Sequence, residues 1–94
     1  DYVKVFFEEK DIDFISNYVS SIEDRFTRRI IWGNLWQMVR DNALSPYIYL
    51  GMIEKHLNLE KDITVSQGQL SAKAMATMSI FLTKENKKVW KDYL

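Results

Sequence analysis

Apolar and polar positions along residues 26–44, FTRRIIWGNLWQMVRDNAL, recur with the period of a helix. At about 100° per residue, Ile31, Trp32, Leu35, Trp36, Met38, Val39 and Ala43 fall within an apolar arc about 160° wide. Phe26 and Ile30 point away from that arc, so the first turns carry apolar surface on two sides. This pattern predicts a central helix with neighbours on more than one side, the inner layer of a helical stack. Its expected core is Phe26, Ile31, Trp32, Leu35, Trp36, Met38 and Val39, joined by Tyr49 and Ile53 from the helix that follows.

The flanking segments are read in the same way. Residues 1–7, rich in aromatic and β-branched side chains, predict one β-strand with no second strand to pair with. Such an orphan is either the last strand of a preceding domain, a site of pairing with a second copy, or an irregular N-terminal arm. Ile12, Ile15, Val19 and Ile22 share one side of a first helix, with Asp11 as its expected N-cap and an end near Ser20 or Ser21. Asp24 is placed to cap the central helix. Asn42 and the dipeptide Ser45-Pro46 mark its end and the start of the next, because Ser45 can accept a first-turn amide and Pro46 sits where its missing N–H costs nothing.

Tyr49, Leu50, Ile53 and Leu57 then line a third helix that ends near Asn58 or Leu59. Beyond Asp62 the β-branched Thr64 and Val65 and the break at Gly68 weaken the signal. Leu70, Ala74, Met75, Met78, Phe81 and Leu82 place a helix over at least 70–82, with a start at Ile63 as the longer alternative, and residues 85–94 predict a last short helix. The expected fold is all-α, four to five antiparallel helices in a short helical-hairpin or solenoid array preceded by one orphan strand, with a closed bundle as the competing arrangement. Residues 8–94 form the helical domain and 1–7 the strand or arm.

At 94 residues the chain is one small domain whose 47% apolar composition suffices to fill a modest core. Lys plus Arg and Asp plus Glu balance at 13 each, so no excess positive field calls for nucleic acid or anionic membrane. The absence of cysteine excludes a disulfide framework and a thiolate zinc site, and fits a cytoplasmic setting. A chain that opens at Asp1 rather than Met reads as a piece cut from something longer.

Candidate chemistry is sparse. His56 is the only histidine, without an HExxH motif or a second imidazole, and reads as an ordinary histidine on a helix surface or flank, with a ligand contact as the alternative. The carboxylates Glu8, Glu9, Asp11 and Asp13 stand where a helix start favours negative charge. Serines have no evident histidine base and no G-x-S-x-G elbow. Lys84, Lys87, Lys88 and Lys91, with acids between them, read as a solvated helix face. Arg28 alone projects into the apolar arc, where an unpaired guanidinium would be prohibitive. It requires an ion pair, with Asp24, Asp41 or Glu54 available, or carbonyl contacts at a helix end, or else a peptide carboxylate or partner domain.

The segments Arg28 to Asp41, RRIIWGNLWQMVRD, and Leu44 to Leu50, LSPYIYL, resemble the C-terminal helical region of the M1-family zinc aminopeptidases. Tyr2 to Val5, YVKV, resembles the strand that enters that region, and Leu57 to Asp62, LNLEKD, the helix end that follows. The likeness covers about the first two thirds of the chain and is most specific at Trp32, Leu35, Trp36, Met38, Val39, Arg40 and Asp41. It implies a noncatalytic fragment of an enzyme that removes N-terminal residues from peptides, in which the helical domain covers and shapes the substrate cavity. Zinc would belong to the parent's catalytic domain. The family's HExxH and GxMEN motifs have no counterpart in this sequence, so the resemblance transfers no catalytic, cofactor or metal role. Its implied partners are the parent's remaining domains. Arg28, Arg40 and Asp41 are the candidates for an ion pair or a contact with peptide in the cavity, and self-association through the N-terminal strand is the further expectation. The reading that needs no parent is an autonomous helical module that binds a protein or peptide.

Overall fold

A computed structural model describes residues 7–82, and within them every regular element is helical. Helix α1 spans Glu9–Tyr18 and runs into a 3-10 turn, Val19–Ser21; α2 spans Arg25–Arg40 and α3 spans Pro46–His56. A last helical path begins with the short α4, Ile63–Val65, passes through a π-helical turn, Ser66–Ser71, and continues as α5, Ala72–Phe81. The predicted strand, apart from Phe7, and the predicted helix at 85–94 lie outside the described residues. Phe7 itself has no regular structure and packs partly buried against the core.

The boundaries follow local chemistry. Asp24 accepts the Phe26 N–H at 3.0 Å and Ser45 accepts the Tyr47 N–H at 3.2 Å, each at the start of its helix, with Pro46 in the first turn of α3. At the end of α2 the Ala43 N–H reaches the Met38 carbonyl at 2.8 Å and the Asn42 N–H reaches Val39 at 3.2 Å. Asn42 has φ 60°, so this is a Schellman turn with asparagine in the left-handed position. The first helix corrects the sequence reading. Its N-cap is Glu8 and not Asp11, which sits one turn in and accepts the Glu8 N–H at 3.1 Å. The last helical path takes the longer of its two expected bounds, starting at Ile63 and running on through Gly68. Asp62 caps it at Thr64 and Val65, and the extra residue is absorbed by the widened π turn.

Helix α2 organises the described residues, touching the 3-10 turn, α3, α4 and the π turn. Trp32, Leu35, Met38 and Val39 bury against Tyr49, Leu50, Met52 and Ile53 of α3, and Val65, Leu70, Ala74 and Met78 of the last path complete the core with Ile15 and Val19. Ile31 and Trp36 are half-buried at its edge. Trp32 meets the Tyr49 ring edge-on, with centroids 6.4 Å apart.

Phe26 does not belong to this core. It is 54% exposed, and the guanidinium groups of Arg25 and Arg29 lie 5.1 and 5.8 Å from its ring. Ile30, one turn on, is also exposed. The side of α2 that carries Phe26 and Ile30 therefore faces outward over the first turns, where cations cover the ring, whereas Gly33 and Asn34 farther along are buried.

Candidate functional site

The polar interior of the molecule lies where α1, α2, α3 and the loop before α4 meet. Arg28 follows the helical spacing of Trp32 and Leu35, so its side chain is carried into the core and is 8% exposed. Its Nε donates to Glu60 Oε1 at 2.9 Å and its Nη2 to Glu60 Oε2 at 3.0 Å, a forked pairing of planar groups. Its Nη1 donates to the carbonyls of Ile22 at 2.6 Å and Glu23 at 3.0 Å. The Glu60 side chain is fully buried, and its Oε2 also accepts the Asp62 N–H at 2.9 Å. Opposite charges are thus paired inside the protein, and the guanidinium bonds two backbone carbonyls besides the carboxylate. The ion pair joins α2 to the loop ahead of α4, and the carbonyl bonds hold the bend that leads into α2.

Sequence reasoning identified Arg28 and the kind of partner it needs but not the partner. Glu60 is 32 residues away in a loop, where no helical period ranks it above Asp24, Asp41 or Glu54. Asp24 is committed to the N-terminus of α2. Its bond from the Phe26 N–H, followed by that from the Thr27 hydroxyl, outweighs desolvation and holds its carboxyl below the usual value of 3.8, with Arg28 adding to the effect. At Asp62 desolvation is the largest influence and pushes upward. The Val65 and Thr64 N–H bonds and the charges of Arg25 and Arg29 together prevail and hold its carboxyl below 3.8 as well.

His56 is also inside, 1% exposed, which corrects its reading as a surface or flank residue. It follows Tyr49 and Ile53 at helical spacing, and that signal was present in the sequence. Nε2 lies 2.6 Å from the Ser16 carbonyl and Nδ1 lies 2.7 Å from Ser20 Oγ. A carbonyl oxygen can only accept, so Nε2 carries a proton; in the neutral ring Nδ1 then accepts the Ser20 hydroxyl. The imidazole also packs edge-on against Trp32, 6.1 Å between centroids. The serine–histidine contact that the sequence did not reveal is therefore present, across a separation of 36 residues.

Among the hollows that border these elements, two carry candidate side chains. A cavity of about 450 Å³ is lined by Ser20, Ser21, Ile22, Glu23, Arg28, Leu59 and Lys61. A shallower cleft of about 290 Å³ lies between α2 and the π turn, with Trp36, Arg40, Gln69 and Lys73 on its walls and Lys73 Nζ 5.4 Å from the Trp36 ring. Arg40 is exposed on that cleft, far from the role of Arg28. Asp41, the C-cap of α2, accepts the Gln37 amide at 3.1 Å. Arg28 and Arg40 therefore line different hollows.

Comparison with family profiles, with curated proteins and with solved structures found no match. The arrangement itself defines the chemistry on offer. Among the described residues no three His, Cys, Asp or Glu side chains gather as a metal site would require, and no helix is long and apolar enough to cross a membrane. What the interior provides is a buried, bidentate ion pair and a serine–histidine pair beside a cavity.

Proposed function

We propose that the chain is a noncatalytic helical domain of a zinc-dependent aminopeptidase of the M1 type, one that helps to cover and shape the cavity in which peptides lose their N-terminal residues. The observation that carries the reading is the Arg28–Glu60 pair. Arg28 opens the RRIIWGNLWQMVRD segment that resembles the family, and Glu60 lies in LNLEKD, another of the resembling segments. Two stretches singled out for their likeness are thus the two that the buried ion pair binds together, around the helix whose Trp32, Leu35, Met38 and Val39 fill the core. A domain that must hold the wall of a cavity needs such a fixed junction.

In this reading the helices form a short antiparallel hairpin array and the partners are the parent's other domains, with zinc held in the catalytic one. Arg40, exposed at the cleft beside Trp36 and Lys73, is the residue placed to touch peptide. The alternative, an autonomous module that binds a protein or peptide, is favoured by Phe14 and Tyr18. These rings meet at a tilt of 44° with centroids 5.1 Å apart on the outside of α1, while 60% and 53% exposed.

Zinc content and aminopeptidase turnover, measured on this chain alone and after mixing with a separately expressed N-terminal portion of its parent, test the proposal. The expected result is no turnover alone and altered turnover of the larger portion on mixing. Stoichiometric zinc with turnover in the chain by itself, or no effect on a larger portion that it demonstrably binds, would overturn it.

A further inference from the structure

Ser20 and His56 meet the geometric requirements for an activated nucleophile. The hydroxyl lies 2.7 Å from Nδ1, and the opposite ring nitrogen is held by the Ser16 carbonyl at 2.6 Å, so the base is oriented by a third group. Packing against Trp32 fixes the ring further. Ser20 stands in the 3-10 turn at the end of α1, only partly buried, and lines the cavity of about 450 Å³. Ile22 and Leu59 give that cavity apolar surface, and its wall carries both the cation of Lys61 and the carboxylate of Glu23. Arg28 lines it too, and one hydrogen of its Nη2 is taken by neither Glu60, Ile22 nor Glu23. Nucleophile, oriented base, donors for a developing oxyanion and space for a short acyl group occur together.

We propose that Ser20 is an acyl-accepting serine activated by His56, and that the cavity beside it takes small carboxylic esters. Ser20 Oγ forms a bond to the ester carbonyl carbon while its proton passes to His56 Nδ1. The tetrahedral intermediate then expels the alkoxide, which leaves as the alcohol with the proton from Nδ1, and Ser20 is left acylated. Water repeats the sequence, giving its proton to Nδ1 and releasing the carboxylic acid and free Ser20. The Nε2 proton stays on the ring throughout, held by the Ser16 carbonyl. Charge on the intermediate falls to Lys61 and Arg28. This esterase activity is distinct from the peptide-cleaving reaction, in which the chain is proposed to take no catalytic part, and it stands or falls without the architectural role.

The test is labelling of the full 94-residue chain with a fluorophosphonate reagent, with the adduct located by tandem mass spectrometry. The expected result is one adduct on Ser20, lost in Ser20→Ala, kept in a variant of the exposed and distant Ser79, Ser79→Ala, and absent from the chain unfolded in urea. His56→Gln, confirmed as folded by circular dichroism, should slow labelling by about 100-fold or more, the usual contribution of a positioned base. If His56→Gln does not fold, the comparison of native with urea-unfolded chain decides. No adduct on the native chain, labelling spread over several serines, labelling that persists in urea, or an unchanged rate in folded His56→Gln would overturn the proposal.

Discussion

Replacing Glu60 by alanine isolates the energetics of the buried junction. The native pair has Arg28 Nε at 2.9 Å from Oε1 and Nη2 at 3.0 Å from Oε2, with the Glu60 side chain fully buried and the Arg28 side chain 9% exposed. Removing the carboxylate leaves a guanidinium in the core with its charge uncompensated and its Nε donor without an acceptor. The Asp62 N–H also loses the Oε2 that it bonds at 2.9 Å, at the turn that starts α4. Breaking a buried pair from one side costs about 3–5 kcal/mol, against about 5–15 kcal/mol of total stability for a typical domain. Glu60→Ala should therefore sit near the edge of folding at room temperature. The double variant Arg28→Met, Glu60→Ala removes the stranded charge and should recover part of the loss. It cannot recover all of it, because the Ile22 and Glu23 carbonyls lose the donors that now hold the bend. Urea unfolding of the wild type, both single variants and the double variant gives the coupling energy directly. A Glu60→Ala cost below about 1 kcal/mol, the range of an exposed ion pair, would refute the assignment of this pair as a buried structural link.

Other expectations are simpler to read. Trp32→Ala, at a residue 1% exposed, should cost about 3–5 kcal/mol in urea unfolding, and Trp36→Ala clearly less, since Trp36 lies half-buried at the edge of the core; equal losses would contradict that placement. Gly51→Ala in α3 should raise stability by about 0.5–1 kcal/mol, because an added Cβ meets nothing within 4 Å there, and a drop in the thermal midpoint would disprove the open space. Asn42→Val, forcing a β-branched side chain to φ 60°, should cost about 1–2 kcal/mol, whereas Asn42→Gly should be tolerated. Asp24 and Asp62 both titrate below 3.8 in the folded chain, so their contribution is complete above that value and is lost as pH falls through the lower folded values. Asp24→Asn with Asp62→Asn should flatten the fall of stability measured on acidification from pH 4, and an unchanged acid slope would remove these caps as its source.

The sequence was legible wherever the controlling interaction is local. Asp24, Ser45-Pro46 and Asn42 fix helix ends through bonds spanning a few residues, and their residue types announce the geometry. The face of α2 from Trp32 to Val39 follows from period alone. Phe26 was misplaced because apolar character does not say whether a ring is covered by another helix or by neighbouring cations, and here Arg25 and Arg29 cover it. Gly68 and the β-branched Thr64 and Val65 argued against a helix, yet the Asp62 cap and the buried Val65 and Leu70 carry the chain through a π turn. Packing overrode propensity there. Glu60 and the Ser20–His56 contact were invisible for a different reason, since both pairings cross more than 30 residues and join helices to loops.

Those long-range polar contacts also explain why this small core takes one arrangement. Leucine, methionine and isoleucine can repack with little loss, so apolar pattern alone leaves the relative placement of α1, α2 and α3 loosely specified. Arg28 removes that freedom, because its donors are satisfied only when the bend at Ile22 and Glu23 and the loop at Glu60 come together. His56 does the same for α1 and α3, since Ser16 and Ser20 lie one turn apart and a slip of α1 by a single residue would separate both from the ring. Lys55, beside it, donates to the Asn17 carbonyl oxygen of the side chain at 2.8 Å and closes the same seam from outside. A mispacked chain would leave buried donors and acceptors unpaired, each costing about 1–3 kcal/mol, which is more than the apolar contacts of an alternative packing would return.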